Sequence, residues 1–417
     1  MSSQKSLFSN FVISIFLGIT SGICFALMIS TYTAYLTQHN VSLELIGILS
    51  LRTVPYSLKF LWAPVVDNHR FGLFQKTFGH KKSWIIGMQC ALIIAIILLG
   101  YIDIEKHLIT GCALALITSF LAATHDIAMD GFRIEFARSK KLEHNNSFTI
   151  LGFRIGFLIS GALALYLSTI MAWQYVFMLI ALSIVPCMLV IISVKEKNAA
   201  RTRISYLNLR NWMIQNITKP FSSLFLMPRF YLILFVIAFY KMSDGYLSTL
   251  LIPFLMKSGF SIKQISFVSE TFGLLCFVLG NFIGSYSSQK IQALRNLFIA
   301  ELLAATTNLA FIIVLHNQGN IYYYLLATFF ESSCAGIANI SLINYMSSLC
   351  TNQRYTATHY ALLISLSGIT RSIVASTSGI LVTTFGWEQF FIFSALLSIP
   401  SLICLAILKF KIDNSAS

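Results

Sequence analysis

Apolar residues in this chain come in long unbroken runs, not in the alternation of a half-buried strand or the one-sided stripe of a soluble helix. A helix crossing a hydrocarbon core of roughly 30 Å at about 1.5 Å per residue needs about 20 mostly apolar residues. Twelve stretches meet that need: spans 1 to 12 cover 11–36, 43–66, 83–102, 107–135, 148–168, 172–194, 229–256, 264–288, 292–315, 321–348, 357–384 and 387–410. The pattern predicts an all-α integral membrane protein with twelve transmembrane helices. A transmembrane barrel would show short alternating segments instead, whereas a helix satisfies its own backbone hydrogen bonds in lipid. Span 1 is too long for a cleaved signal peptide and no small-residue cleavage site ends it, so it reads as a retained first crossing.

Composition points the same way. Hydrophobic residues make up 57% of 417 and charged residues only 11%, with a mean hydropathy of +0.77. A soluble globule of this length has too little interior for that much apolar side chain. A soluble enzyme, a disordered chain and a disulfide-framework protein are therefore excluded. The eight Cys show no paired spacing, and most sit in apolar runs as small hydrophobes. No disulfide, metal site or cofactor is expected.

The net charge of +14 is a topology signal. With the N-terminus placed in the cytoplasm, 21 of the 29 Lys and Arg residues fall in inside segments, three (Lys106, Lys257, Lys263) fall outside and five (Arg52, Lys59, Arg154, Lys241, Arg371) lie within spans. That asymmetry is the positive-inside rule, with both termini cytoplasmic. Nucleic-acid binding is discounted, because the basic residues are scattered over short loops and not gathered on one face.

The longest polar stretch, 195–228, is a basic linker that divides the chain into an N-terminal six-helix half (1–194) and a C-terminal one (229–417). The halves align at an offset of 214: Trp173 meets Trp387, Phe177 meets Phe391, Ala181 and Leu182 meet Ala395 and Leu396, Pro186 meets Pro400 and Lys195 meets Lys409. Arg154 and Arg371 lie at similar positions in the preceding spans. Two parallel six-helix repeats resemble the architecture of the major facilitator transporters, whose site lies near the midplane between halves.

Ionisable side chains within spans are costly and are functional candidates by default. Span 4 carries His125, Asp126, Asp130 and Arg133, the last three on one helical face. A carboxylate in a cavity there is a candidate proton carrier, so Asp126 is assigned that role. Asp130 has an alternative reading as a partner of Arg133 or Arg154. Span 7 carries Lys241 and Asp244, which either pair with each other or serve separately, Lys241 meeting a solute carboxylate and Asp244 titrating. Span 10 carries Glu331 and Asn339, with Arg371 of span 11 as the expected partner of Glu331. Arg52 and Lys59 read as snorkelling or pairing with span 4, and Glu270 and Glu301 as interfacial residues near span ends. In this architecture spans 1, 4, 7 and 10 line the cavity. Span 1 contributes Ser30, Thr31, Tyr32 and Tyr35, types suited to sugar or amide contacts, among which Tyr32 is the candidate.

The loop after span 2 carries Asp67-Asn68-His69-Arg70 and Gly79-His80-Lys81-Lys82, partly resembling the Asp plus Gly-x-basic-basic latch of major facilitators. Asp67 and Lys59 are assigned to gating. More specifically, Lys59-Phe60-Leu61-Trp62-Ala63-Pro64 followed by Asp67 is similar to a signature of the AmpG-type muropeptide permeases, relatives of the acetyl-coenzyme A transporters. His125-Asp126-Ile127 with Asp130, Gly152-Phe153-Arg154-Ile155-Gly156, Tyr240-Lys241-Met242-Ser243-Asp244, Phe329-Phe330-Glu331 and Ala357-Thr358-His359-Tyr360-Ala361 resemble further motifs of that family. The resemblance implies proton-driven import of GlcNAc–anhydro-MurNAc peptides across the bacterial inner membrane for cell-wall recycling. It transfers to Asp126, Asp130, Arg154, Lys241, Asp244 and Glu331, with Lys241, Arg371, Glu331, Arg154, Tyr32 and Asn339 as solute contacts and a monomer in the bilayer as the expected form. A carrier of another anionic solute such as acetyl-coenzyme A, and a sensor that binds without transport, are the alternatives. A membrane-embedded enzyme would need a nucleophile–base pair or metal-ligand cluster at membrane depth, and the sequence has neither.

Overall fold

A computed structural model describes residues 2–68, 78–136, 142–194, 229–350 and 356–416, with most of their side chains. The linker 195–228 and the side chains of Asp67, Arg133 and His359 lie outside the described residues. Within them every regular element is a helix and no strand occurs, as lipid demands of backbone that must pair with itself. Among the described residues, ten helical runs are long and apolar enough to cross a membrane. The two remaining spans are consistent with twelve crossings. Span 2 is broken into short pieces, and span 11 is divided between the helix Thr356–Ala375 and the first part of Ser378–Leu396.

The breaks have identifiable causes. Span 2 runs through Leu43–Ile48, a 3₁₀ stretch Leu49–Thr53, Val54–Leu58, a second 3₁₀ stretch Lys59–Leu61 and Ala63–Asn68. Pro55 and Pro64 each remove a backbone donor from this segment, and the tighter turns precede or surround them. Between spans 11 and 12 the reversal falls at Gly386 (φ 86°), inside Ser378–Leu396. Span 1 contains a π-helical turn, Leu27–Thr31, and span 5 another, Ile159–Leu163. The Thr31 hydroxyl donates to the Ser160 carbonyl, so one π turn supplies a donor for a carbonyl in the other.

The chain divides into two compact units, Met1–Val41 with Leu58–Arg203, and Ser42–Ser57 with Ile204–Ser417. Ser42–Ser57, early in the sequence, packs on span 11: Ser50 Oγ donates to the Ser372 carbonyl at 3.2 Å, and Thr53 and Ser372 share a hydroxyl hydrogen bond of 2.7 Å.

The repeat read from sequence recurs as packing inside each unit. In the first, Tyr35 packs on Trp173 and Phe177, with ring centroids 5.4 Å away in both cases. In the second, Phe254 packs on Trp387 at 5.1 Å and Phe391 at 4.8 Å. Each corner ends its helix in the same hydrogen-bonded form. Asn40 (φ 53°) and Gly259 (φ 87°) adopt the left-handed conformation, while Val41 N–H reaches the Leu36 carbonyl and Phe260 N–H the Leu255 carbonyl, both at 3.1 Å. These are Schellman closures, which satisfy carbonyls that a helix end leaves bare. Two pseudo-symmetric halves thus share the hydrogen-bond pattern as well as the Trp and Phe positions.

Small residues permit the closest helix contacts. Gly18 and Gly22 of span 1 face the backbone of Thr149 and Phe153 in span 5, and Gly152 and Gly156 face the backbone of Ile15 and Ile19 in return. A Cβ at any of these four would collide with main chain. Without a hydrophobic drive between helices in lipid, such backbone approach is what holds them together.

Candidate functional site

In the first unit the site grows from the span 4 helix Leu108–Phe136. Asp126 is 8% exposed, and its Oδ1 accepts the Ser21 hydroxyl at 2.8 Å. His125 Nδ1 lies 3.7 Å from the same oxygen, although adjacent positions on a helix point about 100° apart. The ring therefore folds back over its neighbour. His125 is buried, and its Nε2 has no hydrogen-bond partner. One turn further on, Lys59 Nζ lies 3.5 Å from Asp130 Oδ2, both side chains being about a third exposed (34% and 39%). Trp62 Nε1 donates to Thr124 Oγ1 at 3.1 Å. The Lys-Phe-Leu-Trp segment is thereby docked on span 4 at two points, which a 3₁₀ turn between them brings into register. This realises the expected pairing of Lys59 with span 4 and gives Asp130 a cation from span 2; the side chain of Arg133, another expected partner, lies outside the described residues. Arg154 is half-buried on span 5. Tyr32 is fully buried against Tyr35, so in this structure it belongs to the packed interior.

In the second unit the site is a helix break. Span 7 consists of Phe230–Phe239 and Met242–Lys257. Between them Tyr240 is extended (ψ 136°) and Lys241 is left-handed (φ 63°, ψ 14°). A non-glycine residue in that region costs roughly 1–2 kcal/mol, so its neighbours must hold it there. The Tyr240 hydroxyl reaches the carbonyls of Leu297 (3.4 Å) and Ala338 (3.3 Å). Lys241 Nζ donates to Asn339 Oδ1 at 3.3 Å and lies 3.5 Å from Asp244 Oδ2. Asn339 Nδ2 continues to Asn281 Oδ1 at 3.3 Å. The ammonium also sits 6.0 Å from the centre of the Phe277 ring. Lys241 and Asp244 thus pair with each other, and Asn339 is drawn into the same network.

Two expectations are corrected. Arg371 forms no ion pair with Glu331 among the described residues. Its stem lies over Gly245, where any side chain would collide with it, and the charge it faces is that of Asp244. Glu331 instead accepts the hydroxyl of its neighbour Ser332 at 2.9 Å. Glu270 and Glu301, expected near span ends, are buried against protein, at 7% and 0% exposed. Glu301 accepts the Lys241 backbone N–H at 3.4 Å and the Ser401 hydroxyl at 3.0 Å. Its depth was legible in principle, since it stands well inside the apolar run Ala293–His316. Its partners were not, because Ser401 and a broken backbone carry no charge signature in sequence.

Long apolar helices of crossing length, with charged side chains buried among them, define a multi-pass membrane protein. The Major Facilitator Superfamily profile matches residues 7–375. A relative from Rickettsia conorii, "Putative transporter AmpG 4", is 31% identical over 399 residues, covering 95% of this chain and 96% of the relative. The "Anhydromuropeptide permease" of Escherichia coli K12 is 29% identical over 399 residues, covering 95% and 79%. Among solved structures, the D-xylose-proton symporter superposes with a TM-score of 0.72 at 12% identity, covering 95% of this chain and 97% of that one. The nucleoside transporter NupG superposes with a TM-score of 0.70, also at 12%, covering 95% and 99%. The chain belongs to the Major Facilitator Superfamily and, within it, to the AmpG-type permeases. These relatives are transporters, not enzymes.

Proposed function

We propose that this protein imports anhydro-muropeptides, GlcNAc–anhydro-MurNAc peptides, across the bacterial inner membrane, coupled to proton entry and serving cell-wall recycling. The observation that carries the reading is the span 7 break. It presents an ammonium (Lys241) beside amide groups (Asn339, Asn281), with Asp244 one turn on and Glu331 and Arg371 on spans 10 and 11. A solute bearing carboxylates, amides and sugar hydroxyls matches such a set, because ionised groups pair with the cations and amides hydrogen-bond to amides. The likeness to the E. coli permease supports the same solute class.

In this reading the carrier works by alternating access. Asp126, with Asp130 and Asp244 as further candidates, takes a proton from the periplasm and yields it to the cytoplasm. The Ser21 hydroxyl orients the Asp126 carboxylate and His125 sits beside it. Asp67 and Lys59 act in gating, Arg154 contributes to solute binding, and both termini face the cytoplasm.

The test is uptake by purified protein in proteoliposomes with and without an imposed pH gradient. A radiolabelled anhydro-muropeptide is measured beside acetyl-coenzyme A. Gradient-dependent accumulation of the muropeptide alone supports the proposal. Accumulation of acetyl-coenzyme A alone assigns the other anionic solute, and binding without counterflow assigns a sensor.

A further inference from the structure

The break in span 7 exposes backbone groups on both sides, and one on each side is met from another helix. In a continuous helix the Lys241 N–H would bond to the Ile237 carbonyl. Here it donates to Glu301 Oε1 at 3.4 Å. On the other side, the carbonyl of Ala238, in the last turn of Phe230–Phe239, accepts the Thr370 hydroxyl at 2.7 Å. Unpaired backbone groups at this depth would be expensive, so Thr370 and Glu301 are what make a break at Tyr240–Lys241 tolerable.

The two partners differ in kind. Thr370 is neutral at every pH. Glu301 is a carboxyl group, fully buried, at the N-terminus of the 16-residue helix Met242–Lys257, where the helix dipole and free N–H groups favour an anion. Its Oε1 holds the Lys241 N–H and the Ser401 hydroxyl, while its Oε2 is buried without a hydrogen-bond partner among the described residues. A naked buried anionic oxygen is costly, so the carboxylate is held by one well-satisfied oxygen and opposed by one bare one. Span 7 presents Lys241, Asp244 and the Tyr240 hydroxyl to it, and span 12 presents Ser401. Arg371 of span 11 and Glu331 of span 10 lie within electrostatic reach of Asp244 and Lys241 in the same cluster.

We propose that Glu301 is the positioning residue of the span 7 break. Ionised, it caps Met242–Lys257 and holds Lys241 in its left-handed conformation. Protonated, it caps more weakly, and the break loosens. The site's ammonium and Asp244 then move with the state of a carboxyl group that touches neither side chain by a hydrogen bond. The proposal concerns the chain's own backbone and does not depend on which solute is carried.

Hydrogen–deuterium exchange on the full-length protein in nanodiscs tests it without any solute. The readout is protection of the amides from Lys241 to Gly245, corrected for intrinsic exchange, at pH 8 and pH 5.5. Wild type is expected to lose about tenfold of that protection at the lower pH, the size of one charge-assisted hydrogen bond reduced to a neutral one. E301Q keeps the acceptor oxygen but cannot ionise, so it should show the weaker protection at both pH values. D244N should retain the pH dependence. A wild-type pattern in E301Q, an absence of pH dependence in wild type, or its loss in D244N alone would each overturn the proposal. E301Q is close in size and keeps the Ser401 contact, so its result does not hinge on a folding defect.

Discussion

The Ser21 hydroxyl and the Asp126 carboxylate, 105 residues apart in sequence, meet at 2.8 Å in the buried interior of the first unit. The contact ties span 1 to span 4 at a buried acid, and it gives the acid a fixed orientation. If Asp126 carries the coupled proton, D126N should abolish accumulation driven by a pH gradient while leaving solute counterflow in place. S21A should reduce gradient-driven uptake by about tenfold, since a hydrogen bond to a charged group is worth roughly 1.5–3 kcal/mol. Proteoliposome uptake and counterflow, run side by side, check both. Retained gradient dependence in D126N removes Asp126 from coupling.

Lys59 and Asp130 are a different kind of pair. Both side chains are about a third exposed, and Asp130 lies near the end of the helix Leu108–Phe136; if the headgroup region wets them, such a pair contributes about 0.2–1 kcal/mol. K59M and D130N should therefore leave the thermal transition of the detergent-solubilised protein within a few degrees of wild type. Any large loss of uptake in these variants then reports a role in transport, and a collapse of the melting temperature contradicts the screening argument.

The duplicated corner separates packing from hydrogen bonding. Tyr35 bonds to the Ile102 carbonyl at 3.1 Å, whereas its counterpart Phe254 has no hydroxyl. Y35F should cost only about 1 kcal/mol, one hydrogen bond. F177A and F391A, which truncate fully buried rings, should each cost about 3–5 kcal/mol. Thermal unfolding of the three variants orders them, and equal losses for Y35F and F177A would contradict the pairing of corners.

Thr53 and Ser372 place their hydroxyl oxygens 2.7 Å apart, so cysteines at both positions should form a disulfide under mild oxidation. Thr53 lies in the sequence of the N-terminal six-helix half but packs on span 11. If the halves move against each other during transport, the T53C/S372C crosslink should abolish uptake and reduction should restore it. Unchanged uptake in the oxidised variant would place the whole of Ser42–Ser57 with the C-terminal half throughout the cycle.

Much of this molecule could be read from the chain. Lipid leaves backbone only a few solutions, so apolar run length alone predicts helices and their number. The repeat was visible because Trp173 and Trp387 do the same packing job against Phe177 and Phe391. Asp126, Lys241, Asp244 and Glu331 were conspicuous because each is costly in an apolar run. Glu301 was equally costly but was assigned to an interface, since depth along a run says where a residue lies and not what meets it there.

Sequence by itself therefore determined the helical class, the two related halves and the short roster of charges that lipid would not tolerate. Tertiary structure alone decided the pairings: Ser21 with Asp126, Lys59 with Asp130, and Arg371 over Gly245 and not with Glu331. It also decided where helices break. Tyr240 and Lys241 carry no proline or glycine to announce a break. A non-glycine residue in the left-handed region is stable only when distant groups, here Glu301 and Thr370, satisfy the backbone it frees. Local propensity acts over a few neighbours, whereas those partners come from elsewhere in the fold, and no window of sequence contains both.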